Sequence, residues 1–131
     1  MTTLDAARAQ FEARDYVRAR ESALAALAGS PDDVELLRLA GRAGVETGAP
    51  DAVDQLRRVT ELRGDDAAGW RDLGDALATE GRTDEANEAF RRAVELDPAD
   101  EVSLTALGHT AFQAGRQEDA VSYLERAAEG A

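Results

Sequence analysis

Apolar and small residues recur three and four positions apart along most of the chain, the spacing of amphipathic helices. Across 70–77 they stand at i, i+3, i+4 and i+7, and the same spacing returns across 86–96. Gly81 interrupts the pattern between these segments, and Pro98 follows the second one, where a helix cannot continue. The pattern therefore predicts two helices joined by a turn, and an all-α fold.

The two-helix pattern repeats along the chain with an offset of 34 residues. The segment 70–74 aligns with 104–108, and the turn at 80–82 aligns with 114–116. Matches extend toward the N-terminus after one residue is dropped near 49–51, and the first copy is the most divergent. We predict a single domain, 1–131, with units at about 1–33, 34–66, 67–100 and 101–131.

Small residues occupy one slot on each helix of the repeating unit. The first-helix slot holds Ala7, Gly41, Gly74 and Gly108, and the second-helix slot holds residues that include Ala86 and Ala120. Glycine within a helix costs about 1 kcal/mol relative to alanine, so its recurrence at one slot indicates close helix packing. The alternative is that Gly41 and Gly44 mark a loop.

At these residues the chain resembles the tetratricopeptide repeat family, whose pattern has a 34-residue period. The segments 87–90 and 94–98 are close to that pattern, whereas Arg14 replaces the turn glycine of the first unit. The resemblance implies antiparallel helix–turn–helix repeats stacked into a right-handed α-solenoid. It also implies a protein–protein interaction module that binds a peptide or partner segment on the concave face, without catalysis.

Composition and charge narrow the function classes. A net charge of −12 argues against binding a nucleic-acid backbone, and the absence of Cys excludes thiolate metal sites. No apolar run approaches the roughly 20 residues needed to span a bilayer, and the first residues lack the pattern of a signal peptide. We expect a cytoplasmic protein with no membrane or nucleic-acid partner.

Catalytic and cofactor motifs are missing from the sequence. The single histidine, His109, has no strong ligand or proton-transfer partner at helical spacing, and no phosphate-binding glycine loop or nucleophile elbow occurs. We therefore expect no enzyme activity, cofactor or metal.

If the first helices line the concave face, helical spacing places an arginine stripe there. The predicted partner-binding residues are Arg8, Arg38, Arg42, Arg71, Asp75, His109 and Phe112. Guanidinium groups hold carboxylates bidentately, so an acidic segment or a free C-terminal carboxylate is the predicted ligand. Ordinary ion pairs remain an alternative, Arg71 with Asp75 and the others with Glu12, Glu35 or Asp72.

The register of the second unit is also open by one residue. In the alternative register, Leu36, Leu39, Ala40 and Ala43 face the core, and Arg38 and Arg42 turn partly away. Phe112 has two interpretations as well, a groove contact or core packing.

The last helix predicts an apolar edge. Val121, Leu124 and Ala128 form a stripe that no following repeat covers within the sequence. Exposed apolar stripes mark interaction sites. The alternative function is therefore a structural scaffold that self-assembles, as a homo-oligomer, through this edge. Two other interpretations of the stripe are a longer natural chain and screening by the neighbouring side chains Tyr123, Glu125 and Arg126.

Overall fold

The computed structural model describes residues 2–129 of the chain. Within them the chain forms eight α-helices and no strand. The helices are α1 (Thr3–Glu12), α2 (Tyr16–Leu27), α3 (Val34–Thr47), α4 (Ala52–Leu62), α5 (Ala67–Thr79), α6 (Thr83–Leu96), α7 (Glu101–Gln113) and α8 (Gln117–Glu129). The terminal residues of the predicted domain, Met1, Gly130 and Ala131, lie outside the described range.

The helices group into two compact units. Unit 1 covers Met1–Gly64 and unit 2 covers Asp65–Ala131. In unit 1, α2 packs against α1 and α3, and α3 also packs against α4. In unit 2, α5 pairs with α6, α7 pairs with α8, and α7 also packs against α6. A single domain over 1–131 stays a prediction.

Side chains and backbone geometry explain where the helices begin and end. Asp33, Asp66 and Asp100 are N-caps whose carboxylates accept hydrogen bonds from the backbone N–H groups of the first turn. Gly81 follows α5 with a φ of 78°, in the left-handed region that suits glycine. Arg14, which occupies the turn-glycine position of the first repeat, adopts a φ of 62° and is the only non-glycine residue of 2–129 in that region.

The small slots lie where partner helices approach closely. A Cβ atom built at Gly74 would lie 2.7 Å from the Phe90 ring, and one at Gly41 would lie 2.5 Å from Leu56 Cγ. Ala7, Ala86 and Ala120 are all buried, and Gly108 receives the side chain of Leu124. The alternative of a loop at Gly41 and Gly44 is wrong, because α3 runs unbroken through both positions.

Candidate functional site

A cleft opens between α1 and α3 in unit 1. Its volume is about 360 Å³, and it is lined by Arg8, Phe11, Glu12, Glu35, Arg38, Leu39 and Arg42. Arg8 lies in α1, whereas Arg38 and Arg42 lie one helical turn apart in α3. The structure thus brings together three of the four arginines of the predicted stripe. We call this site the α1–α3 cleft.

Arg8 is already paired within the α1–α3 cleft. Its Nη2 donates a hydrogen bond to Glu35 Oε2 at 2.6 Å, and both side chains are about half exposed. This is one of the ordinary ion pairs that the sequence left open as an alternative. Because exposed ion pairs contribute only about 0.2–1 kcal/mol, the contact does not prevent Arg8 from exchanging partners.

Arg42 is held by an aromatic ring instead of a carboxylate. Its guanidinium carbon lies 4.6 Å from the centre of the Phe11 ring, a cation–π contact. Phe11 is itself braced by Tyr16, edge to face, with ring centres 5.1 Å apart. Among residues 2–129, no carboxylate pairs with Arg42. Its N–H groups therefore remain available for a ligand.

The burial of side chains along α3 answers the question of its register. Leu36, Leu39, Ala40 and Ala43 are all buried, as the alternative register requires. Arg38 is nevertheless half-buried on the cleft wall, and Arg42 is exposed beside it. The broad apolar face of α3 accommodates both features, so burial of the leucines does not turn the arginines away from the cleft.

The remaining residues of the predicted stripe belong to unit 2. Arg71 Nη1 lies 3.4 Å from Asp100 Oδ2, and the side chain of Asp100 is only 1% exposed. Asp75 and His109 are exposed on α5 and α7. Phe112 is 67% exposed, so core packing, the second interpretation of this residue, is wrong. None of these four residues lines the α1–α3 cleft.

The predicted apolar edge lies on α8. Val121 is 53% exposed and Leu124 is 39% exposed, and Ala128 is also exposed. Leu124 is anchored on one side, because its Cδ2 lies 2.8 Å from the position that a Cβ atom would take at Gly108. The edge is thus a partly packed stripe rather than a row of free side chains.

The sequence pattern does not single out one important arginine, Arg20 of α2. Its side chain is only 12% exposed; it donates to the Ala40 carbonyl at 2.7 Å and to Gln55 Oε1 at 2.9 Å, and it pairs with Asp51. A side chain at Gly44 would collide with this guanidinium. Arg20 therefore connects α2 to α3 and to the start of α4. Its partners lie 20 or more residues away in sequence, so helical spacing gives no signal for it.

The described residues lack a cluster of metal-binding side chains. No group of three His, Asp or Glu side chains within 2–129 is arranged to hold a metal ion. The pKa of Asp5 is lowered because its carboxylate takes part in hydrogen bonds with Thr2 at the start of α1. None of the helices in this range has both the length and the apolar character that crossing a membrane requires.

Comparisons with known proteins agree with this architecture. One tetratricopeptide repeat model matches residues 4–52 and 49–101, and a second matches 77–131. No curated protein matches the sequence of this chain.

Solved structures supply further relatives. MamA of MSR-1 is 27% identical, with a TM-score of 0.82, over 98% of this chain and 74% of that one. YrrB, described as a TPR protein with an unusual peptide-binding site, is 26% identical over 95% of this chain and 65% of that one, with a TM-score of 0.83. MamA from Desulfovibrio magneticus RS-1 shares the fold, with a TM-score of 0.89 at 21% identity, over 97% of this chain and 72% of that one. The predicted all-α helix–turn–helix fold is confirmed, and the chain belongs to the tetratricopeptide repeat family.

Proposed function

We propose that this protein is a non-catalytic peptide-binding module whose α1–α3 cleft receives a carboxylate-bearing segment of a partner protein. The family and its structural neighbours support a protein–protein interaction module, and such proteins are typically non-catalytic. The observation that carries the finer proposal is the gathering of three arginines beside an aromatic ring in a chain of net charge −12.

Arg42 is the first contact for the ligand. Stacking on Phe11 fixes the plane of the guanidinium, which reduces the entropy that a bidentate hydrogen bond to a carboxylate would cost. Arg8 becomes a second donor when the ligand carboxylate replaces Glu35. Leu39 and the Phe11 ring supply apolar surface for one ligand side chain. Two or three such contacts correspond to an affinity of about micromolar.

Arg71, Asp75, His109 and Phe112 are the proposed partner contacts of unit 2. The carboxylate partner of Arg71 within the fold is Asp100, which is buried, so we assign Arg71 a smaller role than Arg42. Exposed Asp75 and His109 present polar contacts for a bound segment, and exposed Phe112 presents an aromatic one.

A set of hexapeptides, measured against two matched variants of the protein, tests the proposal. Hexapeptides that end in a free carboxylate are compared with the same sequences amidated at the C-terminus, by fluorescence anisotropy. We expect free-acid or acidic peptides to bind, and Arg42→Glu to weaken binding at least about tenfold while leaving helicity unchanged. Arg91→Glu is the control, because exposed Arg91 of α6 makes no ion pair within 2–129. Equal binding by both variants would contradict the assignment of the α1–α3 cleft.

The alternative function is self-assembly through the edge formed by Val121, Leu124 and Ala128. The exposure of Val121 and Leu124 supports it. Sedimentation equilibrium over a range of concentrations distinguishes the two functions: a monomer at all concentrations argues against the scaffold.

A further inference from the structure

The outer surface of α8 combines its apolar stripe with a row of acidic residues. Helical geometry places glutamates at i, i+7 and i+11 along one side of the stripe. We call the combined surface the α8 face, formed by Glu118, Val121, Leu124, Glu125, Ala128 and Glu129. All six residues are exposed, and within residues 2–129 none of the three glutamates makes an ion pair or a side-chain hydrogen bond.

The preceding repeat shows how a neighbouring helix covers the position that matches Leu124. Phe90 of α6 occupies the place of Leu124, 34 residues earlier, and each side chain packs over a glycine of its partner helix. Phe90 is only 3% exposed, and α7 packs against α6, whereas Leu124 is 39% exposed. The α8 face therefore has the form of a surface that accepts a helix.

Charge selects the kind of helix that fits. Unit 2 carries sixteen Asp and Glu residues and six Arg residues. An antiparallel two-fold contact between two α8 faces would bring the two rows of glutamates onto the same side of the interface, and like charges across an interface are costly. A helix whose apolar stripe is bordered by Lys or Arg would instead pair with Glu118, Glu125 and Glu129.

We propose that the α8 face binds an amphipathic helix of another protein, with Lys or Arg residues bordering its apolar stripe. The helix lies along α8, so that its apolar side chains cover Val121 and Leu124 and its basic side chains reach the glutamate row. This surface is separate from the α1–α3 cleft and selects the opposite charge. One chain would then join an acidic segment and a basic helix.

Two synthetic helices test the proposal on the full chain. Both are amidated amphipathic peptides of about 18 residues with the same leucine stripe, bordered by lysine in one and by glutamate in the other. Fluorescence anisotropy should show binding of the lysine peptide only. Raising the salt concentration from about 50 mM to 0.5 M should weaken that binding.

Variants locate the binding surface. Val121→Ser, at a site that is half exposed, should weaken binding of the lysine peptide about tenfold without unfolding α8. The triple variant E118Q, E125Q and E129Q should weaken it by a similar factor. The triple variant E21Q, E46Q and E88Q removes the same charge from other exposed glutamates, and it should bind like the wild type.

Three results would overturn the proposal. The first is equal binding of the lysine and glutamate peptides, or binding of neither. The second is equal weakening by the two triple variants, since that would reveal only a response to net charge. The third is a wild-type dimer in sedimentation that Val121→Ser disperses, which would make a second copy of the chain the occupant of the α8 face.

Discussion

Unit 1 and unit 2 use the same helix packing but present different charge. A glycine receives a large side chain in both, Gly41 with Leu56 and Gly74 with Phe90. Unit 1 has nine Arg residues for eleven acidic ones, whereas unit 2 has six for sixteen. Packing slots are thus shared between the units while exposed positions vary. Differences in binding between the two units should therefore arise from the exposed positions.

The arginines show the same contrast in detail. In unit 1, Arg42 lies over Phe11 in an open cleft, with no carboxylate partner among residues 2–129. In unit 2, Arg71 faces Asp100, a buried N-cap residue that also accepts from the backbone N–H of Ser103. The same residue type on a first helix is therefore ready for a ligand in one unit and engaged in the fold in the other.

Overpacking a shared slot should produce the largest effect on stability. Gly74→Leu would drive a side chain into the Phe90 ring, so we expect a loss of about 3 kcal/mol in the free energy of unfolding. Urea denaturation followed by circular dichroism measures it. An unchanged midpoint would show that the slot does not set the approach of α5 and α6.

Removing Arg20, the partly buried arginine of α2, should have the next largest effect. Arg20→Met keeps the aliphatic stem but loses the hydrogen bonds to Ala40 and Gln55 and the pair with Asp51, at a cost of about 2 kcal/mol. The matched control is Arg63→Met, at an exposed arginine that makes no ion pair within 2–129. If thermal unfolding shows equal losses for both variants, Arg20 does not connect the helices of unit 1.

Removing the carboxylate partner of Arg8 should increase the difference in ligand binding between unit 1 and unit 2. Glu35→Gln removes the internal carboxylate partner of Arg8, so peptides with a free carboxylate should bind about two- to fivefold more tightly. Glu12→Gln is the control, since Glu12 lines the same cleft without forming an ion pair with another residue of 2–129. Anisotropy titrations of both variants compare them. A weaker affinity for Glu35→Gln would mean that Glu35 helps to hold the ligand.

Replacing Asp5, at the start of α1, should have the smallest effect on stability. The pKa of Asp5 is lowered from its ordinary value of 3.8, so the ionised carboxylate stabilises the folded state at pH values above 3.8. This contribution is lost as the pH falls through the pKa of Asp5 in the folded state. Urea midpoints measured between about pH 5 and pH 2 should therefore fall less steeply for Asp5→Asn than for the wild type. If the urea midpoints of the two proteins fall equally steeply with pH, Asp5 does not contribute to the loss of stability in acid.

Helix pairing could be predicted from the sequence because it depends on local spacing and a repeated period. Gly41, Gly74 and Gly108 stand out by recurrence alone. The partners of Arg20 and Arg71 were not predictable in the same way. Arg71 finds Asp100 across 29 residues, and the inward turn of Arg20 requires the space that Gly44 leaves on another helix. Such contacts depend on how helices are juxtaposed, and periodicity does not contain that information.

An NMR titration of the full chain shows whether the α1–α3 cleft receives a peptide carboxylate. The probe is a hexapeptide with a free C-terminal carboxylate and leucine as its last residue, and the amidated form is the control. We expect the free acid to shift the backbone resonances of α1 and α3 around Arg8, Phe11 and Arg42, and Arg42→Glu to abolish these shifts. Shifts confined to α5–α8, or equal shifts with the amidated peptide, would contradict it.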